Sequence, residues 1–221
     1  MSSRKILLLK IAVWIGCFVP LGRLLYKGWT GGLGANPIEF ITLSTGTWTL
    51  TFLLATLSIT PLRKLTGQPW LIRIRRLIGL FAFFYASLHF TTYVWLDKFF
   101  DFQEMVEDVM KRRFITAGFL AFTLLVPLAM TSTTWAVRKL GGKNWQRLHR
   151  LIYLSAVAGV IHFWWKVKAD VREPAIYAAI LGGLLLLRLA ITAREKYRKP
   201  SRRLKPGPVQ HPGTQPAGGP D

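Results

Sequence analysis

Apolar residues run through this chain in long unbroken stretches, not in the narrow stripes of a fold that keeps one face in water. Six stretches stand out, at 6–26, 43–60, 77–96, 114–131, 148–165 and 174–191. Each holds roughly 18–21 residues, which at about 1.5 Å per residue crosses a hydrocarbon core about 30 Å thick. The second is rich in Thr. The first is too long for the apolar region of a signal peptide, and no small-x-small site follows closely, so it reads as a helix. Short connections predict an up-and-down bundle in which sequential neighbours touch. The expected fold is therefore an all-α membrane protein with six transmembrane helices. Two connections have a character of their own. Residues 27–40 form a Gly-rich turn region (GGLGANP), and residues 97–113 suit a short amphipathic helix lying at the interface. The expected domains are a transmembrane domain over 1–197 and a basic, Pro/Gly-rich disordered tail over 198–221, which contains His211.

Composition agrees, since 51% of the 221 residues are hydrophobic. The net charge of +20 would suggest nucleic acid in a soluble protein. Its distribution argues for a membrane surface instead. Eighteen of the 30 Lys and Arg lie before the first stretch, after the last, or in the 2–3 and 4–5 connections, and Lys10 and Arg150, just inside the adjoining stretch ends, bring that side to twenty. The positive-inside rule then puts both termini in the cytoplasm, and the basic face meets anionic lipid. The single cysteine, Cys17, excludes an intramolecular disulfide, and the absence of C-x-x-C-H excludes covalent haem attachment.

The candidate chemistry lies in three histidines within the apolar stretches. Intramembrane ionisable residues are rare and usually functional. His89 falls toward the outer end of the third stretch. His149 and His162 fall near the inner and outer ends of the fifth, expected to share one helix. His89 and His162 thus match in depth, as two imidazoles on opposite faces of one haem iron require. The 13 residues from His149 to His162 rise about 20 Å, so one haem cannot use both. They also end about 140° short of a full repeat. Either the two levels face different neighbours, or the helix is irregular near Ala158–Gly159. Counting 14 residues back from His89 reaches Arg75, about 21 Å lower on nearly the same helix face. Arg75 is therefore the residue opposite His149. Guanidinium has no lone pair for iron but can pair with a haem propionate or another anion. The inner level is open to a differently ligated haem, a weakly held one, or another ligand. A membrane histidine can also serve as an interhelical hydrogen-bonding residue or a proton relay.

The stretches GGLGANPIE, TGTWTLTFLLATLSITPLR, QPWLIRIRRLIGLFAFFYASLHF, MTSTTWAVRKLGGKNWQRLHRLIYL and IHFWWKVK carry a resemblance. Over about residues 6–195 the chain resembles the haem-binding membrane subunits of the bacterial methionine sulfoxide reductase system, the MsrQ (formerly YedZ) family. The wider superfamily is the ferric reductase-like transmembrane domain. That superfamily stacks two haems between its third and fifth helices, with a histidine pair for each. Arg75 departs from this pattern at the inner position. The resemblance implies a haem b subunit of the bacterial inner membrane, with His89, His162 and His149 as metal ligands and Arg75 at the cofactor. It implies electrons drawn from the quinone pool or a cytoplasmic flavin reductase. The acceptor would be a periplasmic molybdopterin methionine sulfoxide reductase (MsrP) that repairs oxidised proteins. FMN is associated with the family, but no nucleotide-binding fingerprint is present here. The outer connections 27–40 and 97–113 are the expected docking surfaces.

The residues alone support a relay, because the chain has no room for a nicotinamide- or flavin-binding domain. Two other readings follow from the same histidines. A free-standing ferric or quinone reductase would act without a partner. A proton-coupled transporter would lack haem and carry a cavity near the bilayer midplane. No inverted repeat is visible to support the transporter.

Overall fold

The computed structural model describes residues 2–167 and 169–198, and among these the ordered structure is helical. The expected tail over 198–221, with His211, lies almost wholly outside the described residues. Helix α1 spans Ser3–Trp29, opened by the Ser2 side chain accepting from the Lys5 amide. Helix α2, Pro37–Thr66, starts on Asn36 with Pro37 in its first turn, where no amide hydrogen is needed. It ends at Gly67, whose φ of 68° is the left-handed conformation that stops a helix. Helix α3, Leu71–Thr91, runs on into a π-helical turn over Thr92–Asp97. The Thr92 hydroxyl donates to the His89 carbonyl at 2.7 Å where the helix widens. After it come α4, Phe102–Lys111, and α5, Arg113–Met130. Two short helices follow, α6 over Thr134–Leu140 and α7 over Gly142–Leu148. Helices α8, Leu151–Lys166, and α9, Arg172–Arg198, complete the described chain.

Two antiparallel pairs form the centre, α2 with α3 and α5 with α8; α9 packs on α2 and α8, and α1 packs on α3. The core between them is made by Leu50, Leu53 and Leu57 of α2, Phe81, Ala82 and Tyr85 of α3, Leu125 of α5, and Ala156 and Val160 of α8. The outward faces are apolar too, with Leu8 and Ile15 on α1 and Leu186 and Leu189 on α9 at least 60% exposed. A helix apolar on all sides has lipid, not water, as its solvent.

Five helical segments are long and apolar enough to cross a bilayer: Ser3–Trp29, Pro37–Thr66, Leu71–Asp97, Arg113–Met130 and Arg172–Tyr197. The chain is a multi-pass membrane protein. Helix α8, with 16 residues, is shorter than these. The fifth stretch departs from expectation at its start. His149 is not on the helix of His162; it caps α7, with its amide on the Trp145 carbonyl at 2.9 Å, and α8 begins only at Leu151. The backbone at His149 has ψ of −5°, well short of α-helical pitch, which turns the axis there. Ala158–Gly159 is regular helix, and Gly159 instead lets Leu50 pack close.

Candidate cofactor site

Every polar group of a membrane helix needs a partner inside the protein. Following those partners builds the site. On α3, His89 Nδ1 lies 2.9 Å from the carbonyl oxygen of Thr42 on α2. On α8, His162 Nδ1 lies 2.6 Å from the carbonyl oxygen of Phe114 on α5. A carbonyl oxygen can only accept, so each Nδ1 carries the proton and each Nε2 keeps its lone pair.

The two halves use one device. Four residues after each accepting carbonyl stands a glycine, Gly46 after Thr42 and Gly118 after Phe114. Residues i and i+4 share a helix face, so the imidazole that reaches the carbonyl must lie over the glycine. A methyl group at Gly46 would stand 3.0 Å from His89 Cε1, and one at Gly118 would stand 2.6 Å from His162 Nδ1. Only hydrogen fits beneath the His162 ring, and a methyl beneath the His89 ring would press tightly on it. The sequence alone did not single out these glycines. Their signal is a glycine within an apolar helix, a weak one unless its partner is known.

The ring centres of His89 and His162 are 6.0 Å apart, with the planes at 76°. Both rings line a cavity of about 590 Å³ between the two helix pairs. Its walls are mostly apolar, from Leu50, Leu53, Phe90, Phe119, Phe122 and Leu125. Phe90 stacks on Phe122 at 4.7 Å. Met105, Val106 and Val109 of α4 close one side, so the expected interface helix is a wall of the cavity. It is locked to the end of α3 by Asp108, which takes Lys98 Nζ at 2.7 Å, Arg112 Nε at 3.0 Å and the Tyr93 hydroxyl at 3.3 Å. Lys98 also pairs with Glu104. Burial pushes the Asp108 carboxyl up, but the hydrogen bond and charge of Lys98, with Arg112, hold it below the ordinary carboxylate range. Burial pushes the Lys98 ammonium down, but its bonds to Asp108 and Glu104 carry it above the ordinary lysine value.

His149 and Arg75 lie together at the opposite end. There the guanidinium charge acts on the imidazole. His149 Nε2 is 3.1 Å from Thr131 Oγ1, and that hydroxyl donates to the Pro127 carbonyl at 2.6 Å. The hydroxyl therefore accepts from His149, whose free lone pair is on Nδ1, the reverse of the other two rings. His149 also stacks on Trp145 at 3.9 Å. Arg63 and Arg188 join Arg75 here, an association the sequence alone did not reveal.

Two imidazoles with free lone pairs in one apolar cavity could together hold a metal. No cluster of three or more His, Cys, Asp or Glu suited to a metal occurs among the described residues. A metal between His89 and His162 must therefore bring its remaining ligands with it, as an iron porphyrin does. At the other end a lone imidazole beside a guanidinium favours a ligand with negative charge.

Comparison with known proteins gives a consistent result. Residues 41–160 match the family described as ferric reductase-like transmembrane component. A relative from Herminiimonas arsenicoxydans, named protein-methionine-sulfoxide reductase heme-binding subunit MsrQ, is 55% identical over 190 residues, covering 85% of this chain and 87% of its own. Relatives of the same name from Ralstonia nicotianae and Rhodospirillum rubrum are 54% and 51% identical, covering 81% and 87% of this chain and 84% and 93% of their own.

Proposed function

This chain belongs to the ferric reductase-like transmembrane family and, within it, to the MsrQ heme-binding subunits, and on that premise we propose that it is a haem b electron-transfer subunit of the bacterial inner membrane. It takes electrons from the quinone pool or a cytoplasmic flavin reductase and delivers them to a periplasmic molybdopterin methionine sulfoxide reductase. The observation that carries the reading is the paired imidazole device. The His89 and His162 rings, each held by a backbone carbonyl, have centres 6.0 Å apart in one apolar cavity, close enough that both would hold a single metal-centred group between them. The cavity of about 590 Å³ lies within the ordinary range for cofactor sites.

In this role haem supplies a one-electron carrier. The residues of the chain do the rest. His89 and His162 would hold the haem through their Nε2 atoms. The Thr42 and Phe114 carbonyls fix the tautomer and orientation of each ring and raise its basicity as a ligand. The phenylalanines and α4 exclude water, which sets the dielectric and hence the potential. His149 and Arg75 would hold a ligand at a second, inner position. The 97–113 connection, beside the cavity, is the docking surface for the partner, together with 27–40.

We further propose six crossings with both termini cytoplasmic. Two contacts support α8 as the sixth. His162 meets Phe114 at one end of α5 and His149 meets Thr131 at the other. The connection at His149 and α8 together therefore traverse the same depth as α5. The transmembrane domain over 1–197 and the basic tail over 198–221 belong to the same proposal.

The decisive experiment is a reduced-minus-oxidised visible spectrum with pyridine-haemochrome stoichiometry, on the wild type and on His89→Ala, His162→Ala and His149→Ala. The expected result is a b-type spectrum abolished in the first two variants. Partial loss in His149→Ala assigns the inner position to a second haem, and full retention makes that residue structural. A well-folded wild type that binds no haem, even when supplied with it, sinks the relay and favours the transporter.

A further inference from the structure

The end of the bundle opposite the paired imidazoles concentrates more positive charge than the electron-transfer reading uses, since that reading takes only Arg75. Arg63 comes from α2, Arg75 from α3 and Arg188 from α9, and all three are half-buried. They lie close enough that the charges of Arg188 and Arg63 both act on Arg75. Arg63 Nε, Arg188 Nη1 and the hydroxyl of Thr60 are buried without a hydrogen-bond partner in the protein. Lys64 is beside them and pairs with Glu195 at 2.8 Å. The Arg188 guanidinium lies 4.8 Å from the centre of the Tyr153 ring, which fixes its plane but accepts none of its hydrogens conventionally. Like charges drawn together, with buried donors that meet no acceptor, are costly unless an anion completes them.

We propose that Arg63, Arg75, Arg188 and Thr60 form a binding site for a phosphate group, presented either by a bilayer phospholipid or by free phosphate. Donors arriving from three helices suit a tetrahedral anion with oxygens in several directions. A planar carboxylate, with two oxygens and one charge, leaves part of the set unmet. A small hollow lies beside Thr60 and Arg188, lined also by Lys64 and Thr192. The lipid source fits the surroundings, because Leu186 and Leu189 beside Arg188 are 69% and 67% exposed on the outer face of α9. Acyl chains can run along that face while the phosphate reaches inward. The site shares Arg75 with the inner position proposed above, and none of its residues lines the cavity of His89 and His162.

The test uses the full chain, delipidated in neutral detergent. One arm titrates phosphatidylglycerol into phosphatidylcholine micelles or nanodiscs, and the other titrates inorganic phosphate without lipid. Binding is read by native mass spectrometry and by the thermal midpoint. The expected result is saturable binding of one anion per chain that raises the midpoint. Arg63→Gln and Arg188→Gln each weaken it about tenfold, the loss of one charge-assisted contact. Arg188→Lys, which keeps the charge but not the fork, gives a smaller loss and guards against a folding defect. Binding in the first arm alone makes the source a lipid; equal saturation in the second makes it free phosphate. Absence of saturable binding in both arms overturns the proposal. An equal loss in the exposed control Arg76→Gln also overturns it, since that is nonspecific surface charge. Retained binding in the His89→Ala/His162→Ala chain keeps the outcome separate from that of the haem spectrum.

Discussion

Tyr85 repairs a gap that Pro20 opens in α1. A proline inside a helix disturbs the bonds around it. Here the Tyr85 hydroxyl donates to the Cys17 carbonyl at 2.8 Å and accepts from the Leu21 amide at 3.1 Å, bridging the two groups that a regular turn would join directly. The side chain is 1% exposed, so neither group can turn to water without it. Tyr85→Phe should therefore lower stability by about 1–3 kcal/mol, read as a lower thermal midpoint in detergent. An unchanged midpoint would mean that the two backbone groups find each other unaided. The glycines under the imidazoles give a sharper test. Gly118→Ala puts a methyl 2.6 Å from His162 Nδ1 and should cut haem affinity about tenfold or more. Gly46→Ala, at 3.0 Å from His89, should do less. Gly16→Ala, with nothing within 4 Å, should leave the spectrum unchanged. At this scale the histidines were legible in the sequence because a titratable group in an apolar stretch is conspicuous. Gly46 and Gly118 were not, since their role depends on which ring lies across from them.

Among the elements, α4 carries the clearest test. Its apolar face closes the cavity, and its polar face is tied to the end of α3 through Lys98 and Asp108, which are 6% and 5% exposed. The Asp108 carboxyl is held below its ordinary value, so its contribution is present above about pH 4 and is lost as the pH falls through the folded value. Lys98 is held above its ordinary value, so its contribution is present below about pH 10 and is lost as the pH rises through the folded value. Hydrogen exchange of the α4 amides, corrected for intrinsic rates, should be level between about pH 5 and 9 and faster in stronger acid. Asp108→Asn should speed it at neutral pH, because Lys98 is then buried against Glu104 alone, at a cost of about 3 kcal/mol. Equal protection in variant and wild type would show that the apolar face alone holds α4 down. The apolar pattern of 97–113 announced this helix, which the structure opens on Asp101, whose side chain accepts from the Glu104 amide. That it walls a cavity was not announced, because an interface helix and a lid share one amphipathic pattern.

For the whole molecule the telling quantity is parity. Five crossings put the termini on opposite sides of the membrane, and six put them on the same side. Reporter fusions at each end should both read cytoplasmic if α8 crosses. A periplasmic signal from one end would mean that α8 does not. The sequence by itself determined the helical class, the membrane as solvent, the depth match of His89 and His162, and the opposition of Arg75 and His149. Each of these depends only on how far along a helix a residue sits, which counting measures. The tertiary structure alone decided the break before α8, the carbonyl that orients each ring, the glycine beneath it, and the meeting of Arg63, Arg75 and Arg188. Those depend on which faces of separate helices turn toward each other. Apolar stretches that are uniform around the axis carry no moment from which such a rotation could be read.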